Sequence, residues 1–350
     1  MRVLFFTKYT RKGASSRLRS YQYFPKIEEQ EIQVDVSPLF NDIYLKNLYA
    51  GKRPRIEIIR YYLKRFVILF SVGKYDKVII EKELFPYFPA WFEGLFKIFN
   101  INYIVDYDDA IFHNYDLNSN KLIRRILGKK IDKVMRYSSC VIVGNSYLAK
   151  RAATAGAKQI ELIPTVIDLK KYVPCTNKKD QVFIIGWIGS PSTFKYVRMI
   201  EGVLEKLVEH YDIQIHILGS GLEKLDLIKN VKYIEWSEES EIENISKFDV
   251  GIMPLINNSW EKGKCAYKLI QYMGCGKPVV ASQVGANKDV VKNGKNGFLV
   301  NSEIDWWEKL SYYIENPHIR NEHGIRGFEI IKEHYNLEFA SQKLIAIIKS

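Results

Sequence analysis

The chain has 350 residues, is 47% hydrophobic and 26% charged, and carries a net charge of +12. That length suffices for two domain-sized cores, and the composition excludes a disordered or fibrous chain. No apolar run approaches the roughly 20 residues that span a bilayer, and no signal-peptide pattern precedes the apolar run Val3 to Phe6. The four cysteines, Cys140, Cys175, Cys265 and Cys275, lack metal-ligand spacing, so the expected setting is a reducing cytoplasm. The charge is unevenly placed. Residues 1–165 hold 28 Lys/Arg against 16 Asp/Glu, whereas residues 166–350 hold 24 of each. An anionic partner is therefore expected for the first half.

In chain order, Arg2–Thr7 reads as the first strand. The stretch from Lys8 to Arg19 follows, with Gly13 suited to a tight turn and Ser15 or Ser16 to capping the next helix. A strand, glycine turn and helix N-terminus bind anions, and Arg17 and Arg19 add bidentate phosphate donors. The absence of G-x-G-x-x-G argues against a nicotinamide dinucleotide. A helical stretch at Tyr21–Glu29 and a strand at Ile32–Val36 come next. Lys46 to Lys77 then packs nine Lys/Arg against Glu57 and Asp76 alone, interleaved with Ile58, Ile59, Leu63 and the run Phe66 to Phe70. That pattern reads as a basic amphipathic segment for a membrane surface, or as a core helix with a basic outer face.

The strand Lys77–Glu81 runs into Lys82 and Glu83. Glu81 and Glu83 are placed to hydrogen-bond the hydroxyls of a ligand, or to form an exposed pair with Lys82. The strand Tyr103–Asp106 ends in Asp106, Asp108 and Asp109, with His113 just beyond. Three carboxylates so close are costly to bury, so the cluster is expected to face water or a polar ligand. Asp108 and Asp109 offer two hard ligands for a divalent metal but no spaced third, which is weak evidence, and no metal is expected. A helical stretch at Arg124–Arg136 and strands at Cys140–Gly144 and Ile160–Ile163 complete a βαβα order that predicts a parallel, doubly wound sheet.

Pro164 to Pro174 reads as a linker. The scheme then repeats, with strands at Val182–Gly189, Ile213–Leu218, Val231–Ile234, Val250–Pro254, Pro278–Ala281 and Gly297–Val300. After the first of these, Gly189 opens a helix that carries Ser190 and Lys195, a second anion-binding arrangement. Lys268 to Ser282, KLIQYMGCGKPVVAS, predicts a short helix closed near Gly276 and a buried strand. Ser282 to Gly285 then sits at the strand's carboxyl end, where open α/β sheets bind ligands.

The order helix, small-Gly-x-Pro-Val-Val-Ala-Ser, Gly285, then Asn296-Gly297-Phe298-Leu299-Val300 resembles the donor-binding half of the GT-B glycosyltransferases, in particular the retaining group called family 4 or group 1. A narrower branch is similar through Lys264-Cys265-x-x-Lys268-x-x-Gln271-Tyr272-Met273. Ile163 to Asp168 stands where that family joins its domains. The resemblance implies an α/β, GT-B fold of two Rossmann-like domains facing across a cleft: 1–165 for the acceptor, 166–337 for the nucleotide sugar, and 338–350 as a helix crossing back.

It also implies retention of anomeric configuration, no obligatory metal or cofactor, and a UDP- or GDP-sugar donor. Lys195 matches a family Lys at the diphosphate. Ser190 replaces an Arg, whose charge Lys264 or Lys268 is placed to supply. Gly219 resembles the turn near the nucleobase, and Gly13 and Arg17 the loop against the donor phosphates. The family's two sugar and ribose glutamates fall on Gly263 and Gln271, and Glu261 takes the first role if the loop shifts by two residues.

The family often carries a His at the end of the fourth strand, where this chain has Asp. Asp108, Asp109, His113 and Lys195 are therefore the catalytic candidates, and Arg17, Arg19, Glu81 and Glu83 the acceptor-binding ones. The expected partners are a glycan or lipid-linked acceptor of lipopolysaccharide, O-antigen or capsule synthesis, and an anionic membrane surface on the inner face. Nucleic acid is not expected, because no nucleic-acid module is present and the aromatics sit among aliphatic residues. A sugar-nucleotide epimerase of the same fold is the alternative.

Overall fold

The computed structural model describes residues 1–49, 55–174, 182–228 and 230–350. Cys175 and residues 50–54 of the basic segment lie outside them. The chain divides into two compact units, Met1–Thr165 with Ala340–Ser350, and Val166–Phe339.

In the first unit, six apolar runs form one parallel sheet: β1 (Arg2–Tyr9), β2 (Gln33–Phe40), β3 (Lys77–Glu81), β4 (Tyr103–Tyr107), β5 (Cys140–Val143) and β6 (Ile160–Leu162), in the order β2-β1-β3-β4-β5-β6. Val3 to Phe6, Val78 to Ile80 and Tyr103 to Val105 are all buried, as expected for strands covered on both faces. Val3 pairs with Lys77 and Phe6 with Ile80, which brings the ends of β1 and β3 side by side. Strand order reverses between these two, so their carboxyl ends frame the crevice where such sheets take ligands.

The second unit repeats the plan with β7 (Phe183–Ile188), β8 (Ile213–Leu218), β9 (Val231–Ile234), β10 (Val250–Met253), β11 (Val279–Ser282) and β12 (Gly297–Val300), ordered β12-β11-β10-β7-β8-β9. This is the Rossmann order, with its switch point between β7 and β10. Alternation along β11 explains its fully apolar sequence. Val279 and Ala281 join the core on one face and Val280 the core on the other.

Two expected helices differ in detail. Tyr21–Glu29 begins as a 3₁₀ turn over Tyr21–Tyr23 and becomes α-helical at Phe24–Glu28, with Pro25 in its first turn. Arg124–Arg136 is two helices, Lys121–Leu127 and Lys130–Tyr137, interrupted at Gly128 and Lys129. The segment from Pro164 is no loose tether. Val166 and Ile167 are buried, and Ile167 exchanges backbone hydrogen bonds with Tyr335 and Leu337. In the final helix, Leu337–Lys349, Leu344 lies beside Phe5, Ile142 and Ile163, and Lys343 pairs with Glu161 at 3.1 Å.

Candidate functional site

At the switch point of the second unit, β7 delivers Trp187 and then Gly189, whose missing Cβ leaves room for the Trp187 ring. The helix Pro191–Arg198 starts at once, with Ser190 N–H bonded to Thr193 Oγ1 at 3.1 Å and the Ser190 and Ser192 hydroxyls 3.0 Å apart. Its first turns present Lys195 to solvent, 5.1 Å from the Tyr196 ring centroid. After β10, Asn258 caps the short helix Ser259–Lys262 by accepting from Trp260 and Glu261 N–H. This turns Glu261 inward, where the Tyr196 hydroxyl donates to its Oε1. Oε2 is buried with no hydrogen-bond partner. Lys264 reaches the same Tyr196 ring at 5.9 Å.

Lys268 stands in the first turn of the helix Tyr267–Gly274, with its ammonium 4.5 Å from the Trp187 ring centroid. Burial, and next the charge of Lys264, lower its pKa to about 7. The positive end of the helix dipole also disfavours a cation there. That helix starts at Ala266, held in the left-handed region at φ +54°, with no side chain capping the first turn. Among the described residues neither Lys195 nor Lys268 forms an ion pair with a carboxylate. Lys195, Glu261, Lys264 and Lys268 are thus brought together around two aromatic rings, a seat that spacing alone did not reveal. Trp187, inside an apolar strand, is a core residue as its sequence suggests, and its ring also lies under Lys268.

Two glycines border this region by close approach. Gly219, at φ +87°, lies against the Gly189 carbonyl, and Gly285, at φ +51°, against the backbone of Lys262. A side chain at either position would force the neighbouring loop away. Gln271 departs from expectation. Its amide nitrogen donates to Tyr172 Oη at 3.1 Å and to Glu241 Oε1 at 3.0 Å, so the donors proposed for ribose hydroxyls are committed inside the unit.

In the first unit, Gly13 closes the turn by donating its N–H to Thr10, and the helix Ala14–Arg19 begins there. Ser15 and Ser16 lie inside that helix and do not cap it. Ser16 donates to Glu81 at 2.6 Å, and Ser15 to Asp108 at 2.6 Å and Glu81 at 3.1 Å. Arg17 is buried. Arg19 is committed to an inward fork on Asp106 at 2.5 and 2.9 Å and to the Ile163 carbonyl at 2.9 Å.

Of the carboxylate cluster expected to face water or a polar ligand, Asp106 is buried while Asp108 and Asp109 are partly exposed. Asp106 is buried, and its burial is made tolerable by the bidentate Arg19. Lys82 pairs with Asp108 at 2.8 Å and approaches Asp109 at 3.6 Å. Burial opposes the Asp108 carboxylate, but Lys82 and the Ser15 hydroxyl outweigh it and hold its pKa below the usual carboxylate range. Asp109 is the most exposed of the three, at 36% of its side chain.

Glu83 is likewise internal, with Lys130 and the Tyr115 hydroxyl bonded to it, rather than an exposed partner of Lys82. Both ring nitrogens of His113 are occupied, by Asp116 and by the Tyr147 hydroxyl, each at 2.8 Å. Arg65, counted in the basic segment from sequence, is 1% exposed and binds the Thr7, Ser37 and Leu84 carbonyls.

This is the fold of the GT-B glycosyltransferases. Sucrose-phosphate synthase from Thermosynechococcus elongatus matches with a TM-score of 0.74 at 14% identity, covering 99% of this chain and 98% of that one. HepE from Anabaena in complex with UDP-glucose matches with a TM-score of 0.72 at 14% identity, covering 100% and 99%. Residues 181–316 match the family model described as Glycosyl transferases group 1. An uncharacterized glycosyltransferase of Methanocaldococcus jannaschii is 26% identical over 66% of this chain and 60% of its own length. The D-inositol 3-phosphate glycosyltransferase of Corynebacterium urealyticum is 24% identical over 55% and 51%. The chain thus spans about half to three-fifths of the lengths of these two curated relatives.

Proposed function

We propose that the chain is a glycosyltransferase that moves a sugar from a nucleotide diphosphate donor to a hydroxyl of a glycan or lipid-linked acceptor in cell-surface polysaccharide synthesis, with retention of configuration. The observation carrying this reading is the aromatic-seated lysine group, Lys195 and Lys268 at the β7/β10 switch point, inside the segment that matches Glycosyl transferases group 1. Departure of the sugar leaves negative charge on the diphosphate, and preorganised cations in a low-dielectric setting stabilise that charge most where it develops. Lys268 gains most from an anion, because burial, Lys264 and the helix dipole all disfavour its charge when no anion is present. Glu261 Oε2, a buried acceptor without a donor, suits a hydroxyl of the sugar or ribose. Gly219 and Gly285 keep the neighbouring backbones close enough to border the donor. Asp108 and Asp109, aligned by Lys82 in the first unit, are the polar groups assigned to the acceptor or transferred sugar.

HepE is described in complex with UDP-glucose and with UDP, so uridine diphosphate is the nucleotide to test first. It should raise the melting temperature where guanosine diphosphate does not. NMR of the product formed from a UDP-sugar and a glycan acceptor should show the donor's anomeric configuration kept. Inversion would remove the retaining assignment. Conversion of the donor to an epimer without any acceptor would replace transfer with epimerisation. The acceptor is assigned to the inner face of the cytoplasmic membrane, on the strength of the basic first half of the chain.

A further inference from the structure

The helix Arg55–Leu69 carries apolar side chains on its outer face as well as its inner one. Among its described side chains the most buried is Arg65, bound to three carbonyls, while Ile59, Leu63, Val67 and the following Phe70 point to solvent. Their spacing of four, four and three residues places them on one stripe. A helix whose outer face met only water would carry the opposite pattern.

A second helix, Trp91–Ile98, adjoins it through Phe66 and Phe92, whose ring centroids are 5.8 Å apart. It carries a stripe of its own, Trp91, Leu95 and Ile98, also exposed. Phe70 is 79% exposed and Ile98 71%. Scattered exposed apolar residues need no explanation, but two exposed apolar stripes on helices that touch through Phe66 and Phe92 mark an interaction surface.

The charges around this face identify what covers it. Arg60, Lys64 and Lys97 are exposed on the same two helices. Neither acid of these helices is among their exposed residues: Glu93 is buried and accepts from Leu84 N–H, and Glu57 is partly exposed with a buried Oε2. Among the described residues of the two helices, the exposed side chains therefore include cations and large apolar groups and no carboxylate. No described helix is long and apolar enough to cross a membrane. Exposed apolar side chains accompanied by cations and by no exposed acid match the boundary of an anionic lipid leaflet, where the rings and aliphatic groups enter below the headgroups and the cations meet the phosphates.

We infer that the helices Arg55–Leu69 and Trp91–Ile98 together form a docking face for an anionic phospholipid surface. This extends the proposed acceptor side of the reaction, and it narrows the basic segment to one geometric patch that excludes Arg65 and adds a helix whose sequence carried no such signal.

Sedimentation of the intact protein with vesicles tests it, without donor or acceptor. The protein should bind vesicles of phosphatidylglycerol and phosphatidylcholine at least about tenfold more than phosphatidylcholine alone, and high salt should release it. Phe70→Ser with Ile98→Ser should reduce binding by about tenfold or more, as should Arg60→Glu with Lys64→Glu. Leu222→Ser, at an exposed site of the second unit, should change nothing. Circular dichroism and melting temperature should stay at wild-type values in every variant, because the replaced side chains are exposed.

Wild type that stays free of anionic vesicles, or a Phe70/Ile98 variant that binds as well as wild type, overturns the inference. Dimers that dissociate on Phe70→Ser with Ile98→Ser, in a protein that ignores lipid, would make the face an interface between copies and equally overturn it. Vesicle binding by a protein inactive in transfer would leave this inference standing and remove the proposed activity. The reverse result would do the opposite.

Discussion

In the first unit, Arg19, Lys82 and Lys130 each meet a carboxylate directly, Asp106, Asp108 and Glu83 in turn. In the second unit, Lys195 and Lys268 meet the faces of Tyr196 and Trp187 instead. Both regions sit at the carboxyl ends of strands at a switch point, and both are rich in Lys or Arg, yet their electrostatics differ. A paired cation is neutralised where it stands, so its work is to hold loops and orient the partner carboxylate. A ring-seated lysine is positioned without a counter-ion of its own, because an aromatic face supplies only a partial negative charge. The difference separates charges that build the fold from charges kept for a ligand.

The largest effect that would sharpen this contrast is on stability. Lys130→Met leaves Glu83 buried without its cation and should cost about 3–5 kcal/mol in urea unfolding. Lys130→Met combined with Glu83→Gln should recover much of that loss. A near-neutral single variant would mean that the pair is not structural. In the second unit the expectation reverses. Lys195→Ala should leave the unfolding midpoint unchanged and lower turnover by about 100-fold, the usual consequence of losing one preorganised charge stabiliser. Activity within a few fold of wild type would remove Lys195 from the diphosphate.

A smaller effect isolates Lys268. Its folded pKa of about 7 lies below the ordinary 10.5, so between those values the unfolded chain binds more protons than the folded one. Stability from this group therefore rises with pH across that window, and Lys268→Met should flatten the rise. Binding of uridine diphosphate at pH 8 should take up a proton, because the anion returns charge to Lys268. Calorimetry in buffers of different ionisation enthalpy should detect that uptake in wild type and not in the variant. The smallest expected change is at Gln271. Gln271→Ala removes two internal hydrogen bonds and should cost about 1–2 kcal/mol of stability while leaving the donor Michaelis constant nearly unchanged. A raised constant with unchanged stability would restore the ribose contact that its sequence position suggested.

The strands were legible because buried parallel strands are continuous apolar runs. Ile213–Leu218, Val231–Ile234 and Gly297–Val300 have the expected ends, and β3 begins and stops where predicted. The lysines of the second unit were legible too, since motif spacing located Lys195, Lys264 and Lys268 before their convergence was visible. Partnership was not legible. Whether a carboxylate faces solvent depends on cations far away in sequence: Asp106 is buried because of Arg19, 87 residues earlier. Arg65 misled for a related reason. Its partners are carbonyls at the ends of three other segments, and backbone acceptors leave no trace in residue type. The outer face of Trp91–Ile98 escaped notice because exposed and buried apolar residues look alike in a sequence.

The grouping of Ala340–Ser350 with Met1–Thr165 has a consequence for biosynthesis. The second unit is one uninterrupted stretch of chain and can close as soon as it has left the ribosome. The first unit, although made earlier, lacks Leu344 beside Phe5 and the Lys343–Glu161 pair until the last turns of helix emerge. At about 5–20 residues per second, the 174 residues from Val166 to Phe339 impose a wait of roughly ten to thirty-five seconds. The half of the protein that carries the exposed apolar helices is thus the half completed last, and nascent chains are most open to chaperones during that interval.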